Sequence, residues 1–172
     1  RTKTMTRPDT KNIHLENRLR AEGAALQDYK RFADTETGIS PAVIPGTESA
    51  TYVTSGLEHD EWGRANYTPE NRVVMVSKRY RKLDTLRAEL EAQGDGVFDA
   101  PDGAEIGVIG WGSTEGTIAE VVEALRRDGT PVAHLQPKVL NPLPVATVNR
   151  FIAPLKKVIV LEENYTGQLA QH

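Results

Sequence analysis

The chain has 172 residues, a formal net charge of −3, 38% hydrophobic residues and no cysteine. Without cysteine it can form no disulfide, thiolate zinc site, cysteine nucleophile or cysteine-ligated iron–sulfur cluster of its own. Its mild acidity argues against nucleic-acid and anionic-membrane partners, and no run approaches the ~18 apolar residues of a membrane span.

Arg1-Thr2-Lys3-Thr4 leads into polar sequence rather than the apolar stretch of a secretory signal, so a cytoplasmic chain is expected. Arg1 is not an initiator methionine, and 165–172 reads as a helix that has just begun. Both ends suggest a piece of a longer protein. Residues 1–67 show little regular pattern and are expected to form an extended interdomain arm. Within it, Leu15, Leu19, Leu26 and Tyr29 outline a short helix over about 12–32, weakened by Gly23. Gly38-Ile39-Ser40-Pro41 and Ile44-Pro45-Gly46 mark turns.

Residues 68–96 predict a connecting amphipathic helix. Thr68 is its N-cap, Pro69 its first helical residue, and Gly94-Asp95-Gly96 its stop. Val73, Val76, Tyr80, Leu83, Leu86 and Leu90 would form the apolar stripe. Lys78, Arg79, Arg81 and Lys82 would form a solvated basic face, a more economical reading than an anion site. Residues 97–172 carry a β-α-β-α-β pattern. The strands are 104–110, 131–135 and 157–161. The first helix, 114–128, turns Ile118, Val121, Val122 and Leu125 to one face, and the second starts at Pro144 with Val145, Val148, Phe151 and Ile152 inward. Short connections make the crossovers right-handed and the strands parallel. The expected fold is α/β, a three-layer α/β/α sandwich with a mainly parallel sheet, preceded by the arm and the helix.

Ligands of parallel sheets gather outside the carboxyl ends of the strands. Trp111, Gln136 and Glu162 should therefore share one edge. There Gly110, Gly112, Ser113 and Thr114 resemble a phosphate loop, with backbone amides at a helix N-terminus. However, Gly110, Gly112 and Gly116 are not spaced as in dinucleotide sites, and Gln136 stands where such a site needs an acid for the ribose. Trp111 would crowd a pyrophosphate. A glycine turn with Ser113 or Thr114 capping the helix is the better reading. Glu58-His59-Asp60-Glu61 is the densest ionisable cluster, but four consecutive residues cannot all face one metal, and no H-x-x-x-H spacing occurs. No metal site is expected. His59 is a candidate general base or a hydrogen-bonding linchpin between domains, the latter favoured. His14 and His172 lie in poorly packed regions and His134 in a strand. The sequons at Asn66 and Asn164 are chance matches on an unsecreted chain, and no G-x-S-x-G elbow is present.

Longer stretches carry more information. Thr37-Gly38-Ile39-Ser40-Pro41, Ile44-Pro45-Gly46 and the run from Tyr52 through Glu58-His59-Asp60-Glu61-Trp62-Gly63 come first. Gly107 to Thr114, Leu135-Gln136-Pro137, Leu140 to Pro144 and Val160 to Leu169 follow in order. Together they resemble the alpha subunit of 2-oxoacid:ferredoxin oxidoreductases, the 2-oxoglutarate type before the pyruvate type. The resemblance implies thiamine-dependent oxidative decarboxylation of a 2-oxoacid to an acyl-CoA, with electrons passed to ferredoxin. It implies that 97–172 is a domain like the C-terminal domain of transketolase, truncated at its C-terminus. Thiamine diphosphate, magnesium and the iron–sulfur clusters would then lie elsewhere in the complex, with the pyrimidine-side residues upstream of Arg1. The partners would be the beta subunit and, for the complex, ferredoxin and CoA. No catalytic residue is expected here, and the piece alone should be inactive. His59 would stand at the junction with the catalytic domains. The alternative is a non-catalytic module that binds an anionic ligand or a partner through the Gly110–Gly116 loop.

Overall fold

The computed structural model describes residues 7, 9–11, 13 and 17–172. It divides into two compact units, Arg1–Arg79 and Tyr80–His172. Among the described residues no helix is long and apolar enough to cross a membrane.

In the first unit the helix expected over 12–32 is absent from the described residues. Only a 3-10 turn, Gly23–Leu26, forms there, and Leu15 and His14 lie outside the described residues. Gly23 takes φ +58, a left-handed conformation that interrupts a helix. Leu19 consequently stays exposed, while Tyr29 packs with Val43 and Ala50 in a small core. Its hydroxyl donates to the Pro41 carbonyl at 3.0 Å, which ties the irregular chain together without regular elements.

Helix α1 spans Pro69–Gln93. The Thr68 hydroxyl accepts the Asn71 N–H at 3.3 Å as an N-cap should, and Gly94, at φ +84, ends the helix. The expected stripe is corrected. Val73 and Tyr80 are exposed, whereas Met75 and Lys78 are buried. The apolar residues of α1 are spread around much of its circumference, so spacing alone does not say which line turns inward.

The second unit is an α/β fold. Strands β1 (Val97–Asp99), β2 (Ile106–Ile109), β3 (Val132–Gln136) and β4 (Lys157–Val160) form one sheet in the order β1-β3-β2-β4. The pairs β2–β3 and β2–β4 are parallel, and β1 adds an antiparallel edge. Helix α2 (Glu115–Arg127) follows β2 and α3 (Val145–Ile152) follows β3. Because side chains alternate along a strand, β3 serves both faces. Val132 packs with Ile118 and Val122 of α2, while Ala133 and Leu135 pack with Phe151 of α3. This gives the expected three layers. Val121 and Leu125, expected inward, are 52% and 38% exposed. At 100° per residue the buried line runs through Ile118 and Val122, leaving those two on its trailing side. Val145 and Ile152 of α3 are exposed as well, and Thr147 and Phe151 take the inner positions.

Candidate functional site

The parallel strands end together. Ile109 lies beside Leu135 and Val160, so the next residues of each strand emerge at one edge. Trp111, Gln136 and Glu162 share that edge, as the strand order requires. A cavity of about 150 Å³ opens there between Trp111, Ser113, Thr114, Glu162, Glu163 and Asn164.

Gly110 to Thr114 form a tight loop with a 3-10 turn at Gly112–Thr114. Thr114 does not cap α2. Its hydroxyl accepts the Trp111 N–H at 3.1 Å and donates to the Trp111 carbonyl at 2.9 Å, so it is spent on its own turn. Gly110 is required by packing. A Cβ there would overlap Ile118 and stand 2.7 Å from the Thr114 hydroxyl and 2.8 Å from the Gln136 carboxamide oxygen. Gln136, 2% exposed, donates its Nε2 to the Gly112 carbonyl at 3.3 Å. The loop is thus held from beneath by protein groups, while Gly112 and Gly116 face open space.

Glu162 organises the following turn. Its carboxylate accepts the Leu169 N–H at 3.0 Å, the Ala170 N–H at 3.1 Å and the Asn164 side chain. These donors, the Leu169 amide first, hold its carboxyl below the usual value of 4.5. The Trp111 indole N–H, buried and outside hydrogen-bond geometry with any group, acts in the same direction. A carboxyl depressed by folding stabilises above its unfolded value and loses that contribution as pH falls through its lower folded value. Glu162→Gln is therefore expected to lower the melting temperature most at pH 7, with the difference from the unaltered chain shrinking as pH falls below 4.5, so that the acid decline of the variant is flatter. Thermal scans of both forms from pH 7 to pH 3 check this, and a difference that is absent at pH 7 or stays constant across the range would refute it. Within this turn Tyr165 projects with 103% relative exposure.

His134 is 4% exposed and lines a groove of about 300 Å³ with Asp99, Glu115, Glu123 and Arg126. Burial pushes its imidazole below the usual 6.5, against the opposing effects of Gln136, Asp99 and Glu115.

The ionisable cluster lies in the first unit, on a tight reversal over 58–66. His59 and Ala65 form an antiparallel bridge, and Asn66 N–H donates to the Glu58 carbonyl at 2.9 Å. All four side chains are engaged nearby. Glu58 takes a two-pronged ion pair from Arg79 at 3.1 Å on each arm, with Arg72 at 3.8 Å, and Arg79 foremost lowers its carboxyl. Arg79, expected on a solvated basic face, is instead spent here. Asp60 accepts the N–H groups of Trp62 and Arg64, both at 3.0 Å. Glu61 binds Lys30 at 3.1 Å and the Asp34 N–H at 2.8 Å. His59 Nδ1 donates to the Leu57 carbonyl at 2.8 Å, and its ring lies 4.1 Å from that of Phe32. Asn71, which the sequence did not single out for this role, donates to the carbonyls of both His59 and Asn66. Among the described residues no three His, Asp or Glu side chains stand together as a metal would require.

Residues 104–172 match the model of the pyruvate:ferredoxin oxidoreductase core domain II. The chain is 37% identical to subunit alpha of 2-oxoacid:ferredoxin oxidoreductase 2 of Aeropyrum pernix, over 83% of this chain and 22% of that protein. It is 39% identical to 2-oxoglutarate oxidoreductase subunit KorA of Mycobacterium tuberculosis, over 87% of this chain and 22% of that one. Among solved structures, it matches the 2-oxoglutarate:ferredoxin oxidoreductase of Magnetococcus marinus, determined with 2-oxoglutarate, coenzyme A and succinyl-CoA bound. The TM-score is 0.78 at 37% identity, covering 96% of this chain and 28% of that one. The chain therefore spans about a quarter of the length of these relatives. The resemblance read from the sequence is borne out.

Proposed function

We propose that this chain, a relative of the alpha subunits of 2-oxoacid:ferredoxin oxidoreductases, serves as a structural and interdomain part of such a subunit in the oxidative decarboxylation of 2-oxoglutarate. The reading is carried by the likeness to the Magnetococcus marinus enzyme along 96% of the chain. The residues fit a supporting role. With no cysteine the chain supplies no thiolate to a cluster. Its glycine loop is backed by Gln136 and Thr114, and its densest ionisable cluster is consumed by internal partners. Thiamine diphosphate, magnesium and the clusters are assigned to other parts of the complex, the beta subunit among them. His59 is assigned an orienting role between this chain and the catalytic domains. Ferredoxin reduction, measured with 2-oxoglutarate and CoA, tests the reading. Activity is expected from the assembled complex and none from the chain alone. Turnover by the chain alone, or full turnover by a complex lacking it, would overturn it.

The carboxyl edge of the sheet is assigned as a contact surface for the rest of the enzyme. Tyr165 carries that assignment, because an aromatic ring left wholly in water gains nothing from the fold of its own unit. Buried in a partner pocket, such a ring is a common energetic anchor. Tyr165→Ala is expected to weaken association with the remaining subunits about tenfold, with the melting temperature of the chain unchanged. Titration by calorimetry or light scattering reads the difference, and equal affinities would remove this edge from the interface.

A further inference from the structure

His134 and Gln136 stand two positions apart on β3, so both side chains face α2. They are among the few buried polar side chains of the described residues, at 4% and 2% exposure. His134 Nε2 and Gln136 Oε1 are each enclosed and outside hydrogen-bond geometry with any group. Each can supply what the other lacks. The carboxamide oxygen only accepts, and the imidazole Nε2 donates when it carries the proton. The other end of the Gln136 carboxamide is already committed, since its Nε2 donates to the Gly112 carbonyl at 3.3 Å. The oxygen is enclosed beside Gly110, 2.8 Å from where a Cβ on that residue would stand. Behind His134, Asp99 is its direct partner across the β1–β3 pair, and Asp99 is bound by Arg126 at 2.7 Å.

We propose that His134 is a positioning residue, whose Nε2–H orients the Gln136 carboxamide so that it holds the Gly112 carbonyl and sets the Gly110–Thr114 loop. The polar line then runs from the β1–β3 pair through two buried side chains to the carboxyl edge. Its purpose rests on the reading of that edge as a contact surface, but its geometry does not, and the two can fail separately. Hydrogen exchange over a peptide containing 110–116 tests the geometry in the chain itself. His134→Leu leaves the carboxamide oxygen without a donor and is expected to speed exchange of the loop about tenfold. His134→Gln places an amide nitrogen near the position of Nε2 and is expected to restore native exchange. Nitrogen NMR of the unaltered chain gives an independent reading that needs no variant: the His134 proton should sit on Nε2. A proton on Nδ1, or loop exchange in His134→Gln as fast as in His134→Leu, would overturn the proposal. Native loop exchange in His134→Leu would overturn the His134 proposal even where the Tyr165 variant associates weakly and so supports the edge as a contact surface.

Discussion

Phe151→Ala is expected to destabilise the second unit by about 3–5 kcal/mol, the range for emptying a buried aromatic site. Phe151 has 0% exposure and packs with Ile109, Ala133 and Leu135. Two features keep the site from collapsing into the vacated space. Gly107 of β2 lies beneath the ring, where a Cβ would stand 3.0 Å from its edge, so the strand offers no side chain to move in. On the antiparallel edge, Phe98 meets the ring edge-to-face at 5.6 Å between centroids and 85° between planes. Losing the ring leaves Phe98 uncovered and loosens the three-residue β1. Urea unfolding reads the effect. The midpoint should fall at constant slope if only native-state packing is lost, and Phe151→Leu should recover more than half of the loss. A cost below about 1.5 kcal/mol would mean that the layers close over the gap, contrary to the cavity argument.

The parts legible in the sequence are those fixed by local patterns. Short apolar runs bounded by glycine and proline gave β2, β3 and β4, and their parallel order placed Trp111, Gln136 and Glu162 on one edge. The antiparallel β1 escaped notice because Val97-Phe98-Asp99 is too short for an alternation. What holds it is remote: Asp95 accepts the N–H groups of Lys138 and Val139, both at 3.0 Å, and Gly96 lies against the Gln136 carbonyl. Contacts over forty residues leave no local trace. The same holds for the edge itself, where the grip of Glu162 on Leu169 and Ala170 depends on how the chain turns back after β4. In α1 and α2 the existence of each helix followed from caps and spacing, but which residues turned inward did not. That choice belongs to the partner surfaces. The cluster around His59 was visible as a composition, whereas its partners Arg79, Lys30 and Asn71 became apparent only in three dimensions.

Gly63→Ala is expected to cost about 2–4 kcal/mol in the first unit, combining backbone strain with a forced shift, and to cut assembly of the enzyme with it. Gly63 is buried at φ +84, where an L side chain is strained. A Cβ would overlap the Val53 carbonyl oxygen and stand 3.1 Å from the Phe32 ring. The obstacle is backbone, so no rotamer change relieves it. Gly63 N–H also closes the turn onto the Asp60 carbonyl at 3.0 Å, and Asp60 in turn caps Trp62 and Arg64. Displacing this turn moves His59 away from Phe32 and from the Asn71 bond to its carbonyl. Gly46→Ala separates the two causes. Gly46 has φ +92 with nothing within 4 Å of its would-be Cβ, so it carries the strain without the collision and should cost only about 1 kcal/mol. Unfolding by urea, followed by Trp62 emission in a Trp111→Phe background, compares the two variants. Subunit association then shows whether the reversal over 58–66 works as an orienting element. Equal costs for both substitutions would mean that Val53 yields freely. A destabilised Gly63 variant that still assembled normally would separate this turn from the junction and leave His59 a purely local role.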